Sequence, residues 1–243
     1  MNLAILQARM SSSRLPGKVM APVLGAPMIG RQIERIKRAK LVDKLVVATS
    51  DDASDDPLAA YVQSLGVDVF RGSLDDVLGR FCQVLQGYYD VTCVVRLTAD
   101  CPLTDPELID KVIAHHLETG ADYTSNTLRS RTYPHGLDVE VIKTEVLEDA
   151  GARAKDPYEW EHVTPYIYRR PEQYRLAGVA RHDSQAHLRW TVDLPADLEF
   201  VRAVYRELYP KKPAFTSQDI ARLPVNSAPL PAQSAAEGRA AGA

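Results

Sequence analysis

Cysteine is scarce in this 243-residue chain: Cys82, Cys93 and Cys101 are the whole set, with no CxxC spacing. An odd, scattered set frames neither a disulfide scaffold nor a zinc site, and it suits a reducing cytoplasm. No run approaches the ~20 apolar residues that a membrane-spanning helix requires. Residues 1–6 lack a basic flank and meet Gln7 too early for a signal peptide. No membrane partner is therefore expected. An excess of one charge is missing too: the net charge is −3, which argues against a basic face that coats nucleic acid. The chain contains no GxSxG, HExxH or GxGxxG motif. GxxxxGK[ST] is also absent, since Ser12 stands where its first glycine belongs and Val19 follows the lysine.

What is present is an ordered alternation of strand-like and helix-like segments. Residues 3–6 form a short apolar run, and Ile29, Ile33 and Ile36 follow at helical spacing. Residues 44–49 read as a strand, 57–65 as a helix, and 67–70 as a strand. Leu74, Val77, Leu78, Phe81 and Leu85 trace one helix face, and 91–97 is the strongest strand. Asp105-Pro106 starts a helix whose apolar face is Leu108, Ile109, Val112 and Ile113. This rhythm predicts an α/β fold with a mostly parallel sheet covered by helices on both faces. After about residue 120 the rhythm breaks. Residues 137–142 alternate as a half-exposed strand, 143–151 and 157–169 look helical, 188–192 suggest a late strand, and Leu198 to Leu208 a last long helix. Residues 1–224 are expected to form a single domain. Residues 225–243, rich in Ala, Pro, Ser and Gly without periodicity, are expected to be a disordered tail.

In such a sheet, ligands bind outside the carboxyl ends of the strands. Four ends carry polar residues: 7–18, 50–52, 71–72 and 98–102. The first holds Arg9, Arg14 and Lys18 among three serines, with Gly17 and no acid. Arginine grips phosphate through parallel hydrogen bonds, and small residues let backbone amides approach it. The same composition also suits a solvated basic loop. Asp100 closes the strongest strand, where a carboxylate can hold Mg²⁺ against phosphate oxygens or simply form a turn. Asp193 repeats the arrangement before Leu194-Pro195, where it can bind metal or cap a helix. The adjacent His115 and His116 point apart on a helix and make a poor metal pair.

These residues match a known pattern. "QARMSSSRLPGK", "RLTADCPLTD" and "WTVDLPADL" resemble the cytidylyltransferases that activate acidic sugars, the CMP-KDO and CMP-acylneuraminate synthetases. "VFRGSLDDVLGRF", "YPHGLDVEV" and "EHVTPYIYRR" look most like the branch named for spore coat polysaccharide biosynthesis. The resemblance covers nearly all of residues 1–210. It implies a Rossmann-like nucleotidyltransferase with an inserted dimerisation and acceptor arm over roughly 125–170, acting as a homodimer. It implies that Ala8 and Arg9 lie against the nucleotide, that Ser13, Arg14 and Lys18 bind its phosphates, and that Arg71 sits near the cytosine. Asp100 and Asp193 would carry Mg²⁺, the expected cofactor. His135, Asp138, Glu140 and His162 would face the acceptor, though His135 and His162 equally suit hydrogen-bonded structural roles. The "YPHGLDVEV" and "EHVTPYIY" segments do not align with the sugar-binding motifs of either synthetase.

The implied reaction is in-line attack of an acceptor oxygen on the α-phosphorus of CTP, with release of pyrophosphate. Lys18, Arg14, Asp100 and Asp193 are its expected catalytic residues. A carboxylate or phosphate acceptor needs no base; for an alcohol, His135 or Asp138 is the candidate. Two other functions remain open. A nucleotide-sugar-dependent glycosyltransferase shares the layout, although Asp100-Cys101-Pro102 lacks the second aspartate of an Asp-x-Asp. A nucleotide-binding protein without catalysis would keep the same loop.

Overall fold

A computed structural model of the chain describes residues 1–128 and 130–227. Strand β1 (Asn2–Gln7) shows why its apolar run is unbroken. Ala4 and Leu6 point into one hydrophobic cluster, and Leu3 and Ile5 into another on the opposite face. A strand buried on both sides has no polar alternation to display.

The chain then makes a small hairpin, β2 (Pro22–Val23) and β3 (Ala26–Pro27), before helix α1 (Met28–Ile36). Next come β4 (Lys44–Ser50), α2 (Asp56–Ser64), β5 (Asp68–Gly72), α3 (Val77–Leu85) and β6 (Cys93–Thr98). Helix α4 (Pro106–Thr119) has its proline in the first turn and Asp105 as its cap, accepting from the Glu107 amide. The chain continues through β7 (Tyr123–Ser125), β8 (Glu140–Lys143), α5 (Thr144–Arg153), α6 (Pro157–His162), α7 (Pro165–Tyr168) and β9 (Leu176–Gly178). It ends in α8 (Pro195–Leu208) and α9 (Ser217–Ala221). No helix among the described residues is long and apolar enough to cross a membrane.

The larger sheet runs β5-β4-β1-β6-β8-β7-β9. The β1, β4, β5 and β6 pairings are parallel, whereas β8 pairs antiparallel with both β6 and β7. Helices α1, α4 and α8 cover one face; α3, α5 and α7 cover the other. The mostly parallel α/β layout matches expectation.

The second half departs from it in detail. The segment expected as an inserted arm, 125–170, is partly woven into the sheet, with β8 bonded on both sides. Residues 188–192 form no ladder strand. Arg189 makes an isolated bridge with His135, and the Val192 amide bonds the Asp100 carbonyl at 2.7 Å. The helix expected over 157–169 is broken at Val163, whose φ of 69° and ψ of −57° place a γ-turn there, closed by the Thr164 amide on the His162 carbonyl at 2.8 Å. A β-branched residue rarely adopts this strained geometry. Two residues of the expected tail are bonded to the fold: the Asn226 carbonyl accepts from the Trp190 indole at 2.6 Å, and the Ser227 hydroxyl from the Arg189 amide at 2.8 Å. Residues 228–243 lie outside the described residues.

Candidate active site

From β1 the chain moves outward to β4 and β5, then returns to the other side of β1 as β6. Strand order therefore reverses between β1 and β6, the crevice where open α/β sheets bind ligands. A cavity of about 340 Å³ opens there, with Gln7 and Ala8 after β1 and Thr98, Ala99 and Asp100 after β6 on its lining.

The opening loop is closed by Met10. Its amide donates to Asp55 at 2.6 Å, and its carbonyl accepts from the amides of Ser12 and Gly17, both at 2.9 Å. Gly17 meets this closure at φ 71°, which suits glycine. Asp55 is fully buried and also accepts from Thr49 and from the amide and hydroxyl of Ser50. Burial alone would raise its carboxyl, but bonds from Ser50, Met10 and Thr49 outweigh that and hold it below the usual range. The loop's start is thereby fixed to the end of β4, and Arg9, Ser13, Arg14 and Lys18 line the cavity.

Lys18 is only 9% exposed. Its Nζ donates to the Val192 carbonyl at 2.5 Å and to Asp193 Oδ1 at 3.1 Å, and lies 3.9 Å from Asp100 Oδ2. Two carboxylates from different segments thus converge on one ammonium group. The Val192–Asp100 backbone bond draws those segments together. Asp100 is on the cavity lining, and Thr98 donates to its Oδ1 at 2.6 Å. Asp193 does not cap α8. Asp197 reaches back to the amides of Asp193 and Leu194 at 2.8 and 2.9 Å, leaving the Asp193 carboxylate to face Lys18, Arg14 and Arg189. Burial opposes ionisation of Asp193, but the charges of Lys18 and Arg14 prevail and lower its pKa.

Among the described residues no cluster of three or more His, Cys, Asp or Glu side chains could hold a metal. Asp100 and Asp193 nonetheless place two carboxylates on one cavity, with Lys18 Nζ between them. Mg²⁺ commonly takes one or two carboxylates and completes its shell with water and substrate phosphates.

The remaining wall comes from β6, α3 and α6. Antiparallel pairing sets Glu140 directly across from Arg96. The two form a buried ion pair, and Glu140 also accepts from Tyr123 and, at 2.7 Å, from Thr164 just after the γ-turn. Arg96 Nε donates to Gln7 at 3.0 Å. His162 and Glu161 stand on the lining, and Glu161 lies 3.6 Å from Arg9. Partial burial lowers the His162 pKa against the pull of Glu161, with Arg96, Arg169 and Arg9 adding to the lowering.

The structure thus gathers Ala8, Arg9, Ser13, Arg14, Lys18, Asp100, Asp193 and His162 around one cavity. Four expected residues do not line it. Glu140 is committed to Arg96, and Asp138 is gripped by both terminal nitrogens of Arg131. His135 sits half-buried behind its backbone bonds to Leu188 and Trp190, with burial first and Arg131 next lowering its pKa. Arg71 has all three guanidinium nitrogens engaged, on the carbonyls of Ser50 and Asp52 and the carboxylate of Asp56. Conversely, Arg80 and Arg96 line the cavity without having been singled out. The signal was a cation at a core-facing position: Arg80 follows Val77 by three residues on a buried helix face, and Arg96 interrupts an apolar strand.

Comparison with known proteins agrees with this geometry. The profile of the family described as cytidylyltransferase matches residues 3–218. The spore coat polysaccharide biosynthesis protein SpsF of Bacillus subtilis is 36% identical over 213 residues, covering 84% of this chain and 86% of its own. A cytidylyltransferase from Leptospira borgpetersenii superposes with a TM-score of 0.84 at 30% identity, covering 90% of this chain and 91% of that one. A CMP:2-keto-3-deoxy-manno-octonic acid synthetase, solved with CTP, shares the fold at a TM-score of 0.66 and 20% identity, over 85% of this chain and 99% of its own.

Proposed function

Because the chain belongs to the cytidylyltransferase family and is a CTP-dependent nucleotidyltransferase, we propose that it transfers CMP to a small anionic or sugar-acid acceptor, releasing pyrophosphate, with Mg²⁺ as cofactor. The carrying observation is the convergence of Asp100 and Asp193 on Lys18 Nζ beneath a loop of cations. Five cationic side chains and three carboxylates line the cavity, so it favours ligands that bring negative charge.

In this reading Lys18 and Arg14 hold the β- and γ-phosphates and take up the charge that develops on departing pyrophosphate. Asp100 and Asp193 hold Mg²⁺, which would neutralise phosphate charge and lower the pKa of an acceptor hydroxyl. Ala8, Arg9 and Ser13 position the nucleotide so that the acceptor oxygen meets the α-phosphorus in line. Arg96, kept in place by Glu140, presents a cation to the acceptor from the opposite wall. A carboxylate or phosphate acceptor attacks without a base. For an alcohol, His162 is the base, because it lines the cavity and its lowered pKa keeps it neutral at pH 7. A homodimer in the cytoplasm completes the proposal; its mass in solution by sedimentation tests the oligomer.

The direct test is pyrophosphate release from CTP across a panel of sugar acids and small phosphates. Asp100→Asn should cut turnover by ~10²-fold or more while CTP still binds, as expected for a group that acts mainly in the transition state. Wild-type turnover in that variant would remove Asp100 from the mechanism. CTP binding with no pyrophosphate release from any acceptor would return the chain to the non-catalytic class.

A further inference from the structure

On the premise that Asp193 carries the metal, we propose that Arg189 is its positioning residue, holding the Asp193 carboxylate in place when the triphosphate draws Lys18 and Arg14 away. Three cations meet that carboxylate. On Oδ1 are Arg14, at 2.9 Å, and Lys18, at 3.1 Å. On Oδ2 is Arg189, whose Nη2 lies at 3.1 Å. The first two also line the cavity and are the groups assigned to the phosphates. Phosphate oxygens of a triphosphate carry more charge than one carboxylate and compete for both cations. Loading the site therefore strips Asp193 Oδ1 of its partners, freeing it for the ion and leaving Arg189 as the cation that keeps its hold.

Arg189 is built not to follow the phosphates. It is 8% exposed and stands outside the cavity lining among the described residues. Its Nε and Nη2 grip the two oxygens of Asp197, at 3.1 and 3.0 Å, and Asp197 is 1% exposed in the first turn of α8. Its backbone is pinned as well. The Arg189 amide donates to the Ser227 hydroxyl at 2.8 Å, and the residues on either side bond to the backbone of His135. Asp197 in turn accepts from the amides of Asp193 and Leu194. Asp197 thus holds Asp193 twice, by its N–H directly and by its carboxylate through Arg189. The planar fork of a guanidinium lets one side chain serve two carboxylates in this way; a lysine ammonium offers no such fixed geometry.

The consequence is a division of labour between two oxygens. With Oδ2 tied to Arg189, Asp193 offers the metal one oxygen, Oδ1, in a direction that persists after Lys18 and Arg14 have turned to the phosphates. Outer partners that orient a ligating carboxylate are worth about 10- to 100-fold in metal affinity or activity.

Calorimetric titration with CTP, in EDTA and in Mg²⁺, and pyrophosphate-release kinetics test this on wild type, Arg189→Gln, Arg189→Lys, Asp193→Asn and the Arg189→Gln, Asp193→Asn double variant. In EDTA, Arg189→Gln should bind CTP as wild type does, since Arg189 stands outside the cavity. Mg²⁺ should tighten CTP binding to wild type, and Arg189→Gln should lose about 10-fold or more of that gain, with turnover down about 10- to 100-fold. Arg189→Lys, which keeps the charge and loses the fork, should fall between the two. Removing Arg189 from Asp193→Asn should cost little more, because a residue that acts only through Asp193 has nothing left to orient. Losses that multiply in the double variant, or a loss for Arg189→Gln that is equally large in EDTA, would make the Arg189–Asp197 pair a support of the fold alone and overturn the proposal. A wild-type Mg²⁺ gain in Arg189→Lys overturns it too, and decides the matter should Arg189→Gln fail to fold. Wild-type turnover in Asp193→Asn refutes instead the assignment of the metal to Asp193, and wild type that binds no CTP refutes the CTP site itself.

Discussion

Replacing Glu140 by Gln should expose how the Arg96 side of the cavity is held together. Glu140 accepts from Tyr123 and Thr164 on one oxygen and pairs with Arg96 on the other, with only 12% and 10% of the Arg96 and Glu140 side chains exposed. Glutamine can keep the first two bonds by presenting its carbonyl to them. Its amide then turns N–H toward the Arg96 guanidinium, and a buried cation loses its paired carboxylate. Breaking a buried pair from one side costs about 3–5 kcal/mol, a fall in Tm of about 6–20 °C for a chain of this size. Replacing both partners with apolar groups, as in Arg96→Met with Glu140→Leu, leaves no orphaned charge and should cost less than Glu140→Gln alone. Urea unfolding of the three proteins gives the comparison. A loss under about 1 kcal/mol for Glu140→Gln, or a double variant less stable than Glu140→Gln, would refute the view of Glu140 as the buried anchor of Arg96.

Other consequences are as direct. Gly136 has φ 99°, and a Cβ there would lie 2.4 Å from the Thr191 amide nitrogen; Gly136→Ala should destabilise by about 2–5 kcal/mol in chemical unfolding, and a loss within error would mean the two segments separate freely. Burial, with Lys143 adding to it, lowers the His116 pKa to about 4, and its Nδ1 lies 3.0 Å from the Thr124 hydroxyl. The unfolded chain takes up that proton first, so stability should fall as pH drops from about 6.5 toward 4, by up to about 3 kcal/mol. Unfolding curves across that range should be flatter for His116→Gln; an identical slope would clear His116 of the effect.

The first half of the fold was legible because its elements obey simple periodicities. β1 and β4 carry continuous apolar runs buried on two faces, β6 carries one broken only by Arg96, and α1, α3 and α4 each carry one apolar stripe. The second half hides its structure in bonds that no periodicity encodes. Residues 188–192 look like a strand, but they make a single bridge with His135, and their other bonds scatter to Gln185, Ser227, Asn226 and Asp100. Nothing in the apolar pattern of 157–169 signals a γ-turn at Val163. The opening loop and Asp100 stand out in the sequence because polar residues clustered just past an apolar strand have few structural reasons to be there. Arg80 and Arg96 escaped notice because charge normally faces water. Glu140 and Asp138 were assigned to the acceptor because their partners, 44 and 7 residues away, cannot be read from local sequence.

The staple between Lys18 and the segment at residues 192–193 also has a bearing on the order of events during synthesis. The contact spans 174 residues for the Val192 carbonyl and 175 for Asp193. A ribosome that has released β1 to β6 has produced the phosphate loop and one carboxylate, yet the other carboxylate is still to be made. Long-range closures of this kind come late because the chain entropy they cost must be met before they contribute. Trp190, fully buried just before that segment, is covered in turn by the carbonyl of Asn226. The Lys18–Asp193 contact therefore forms only after residue 193 has emerged, and products truncated before it lack it.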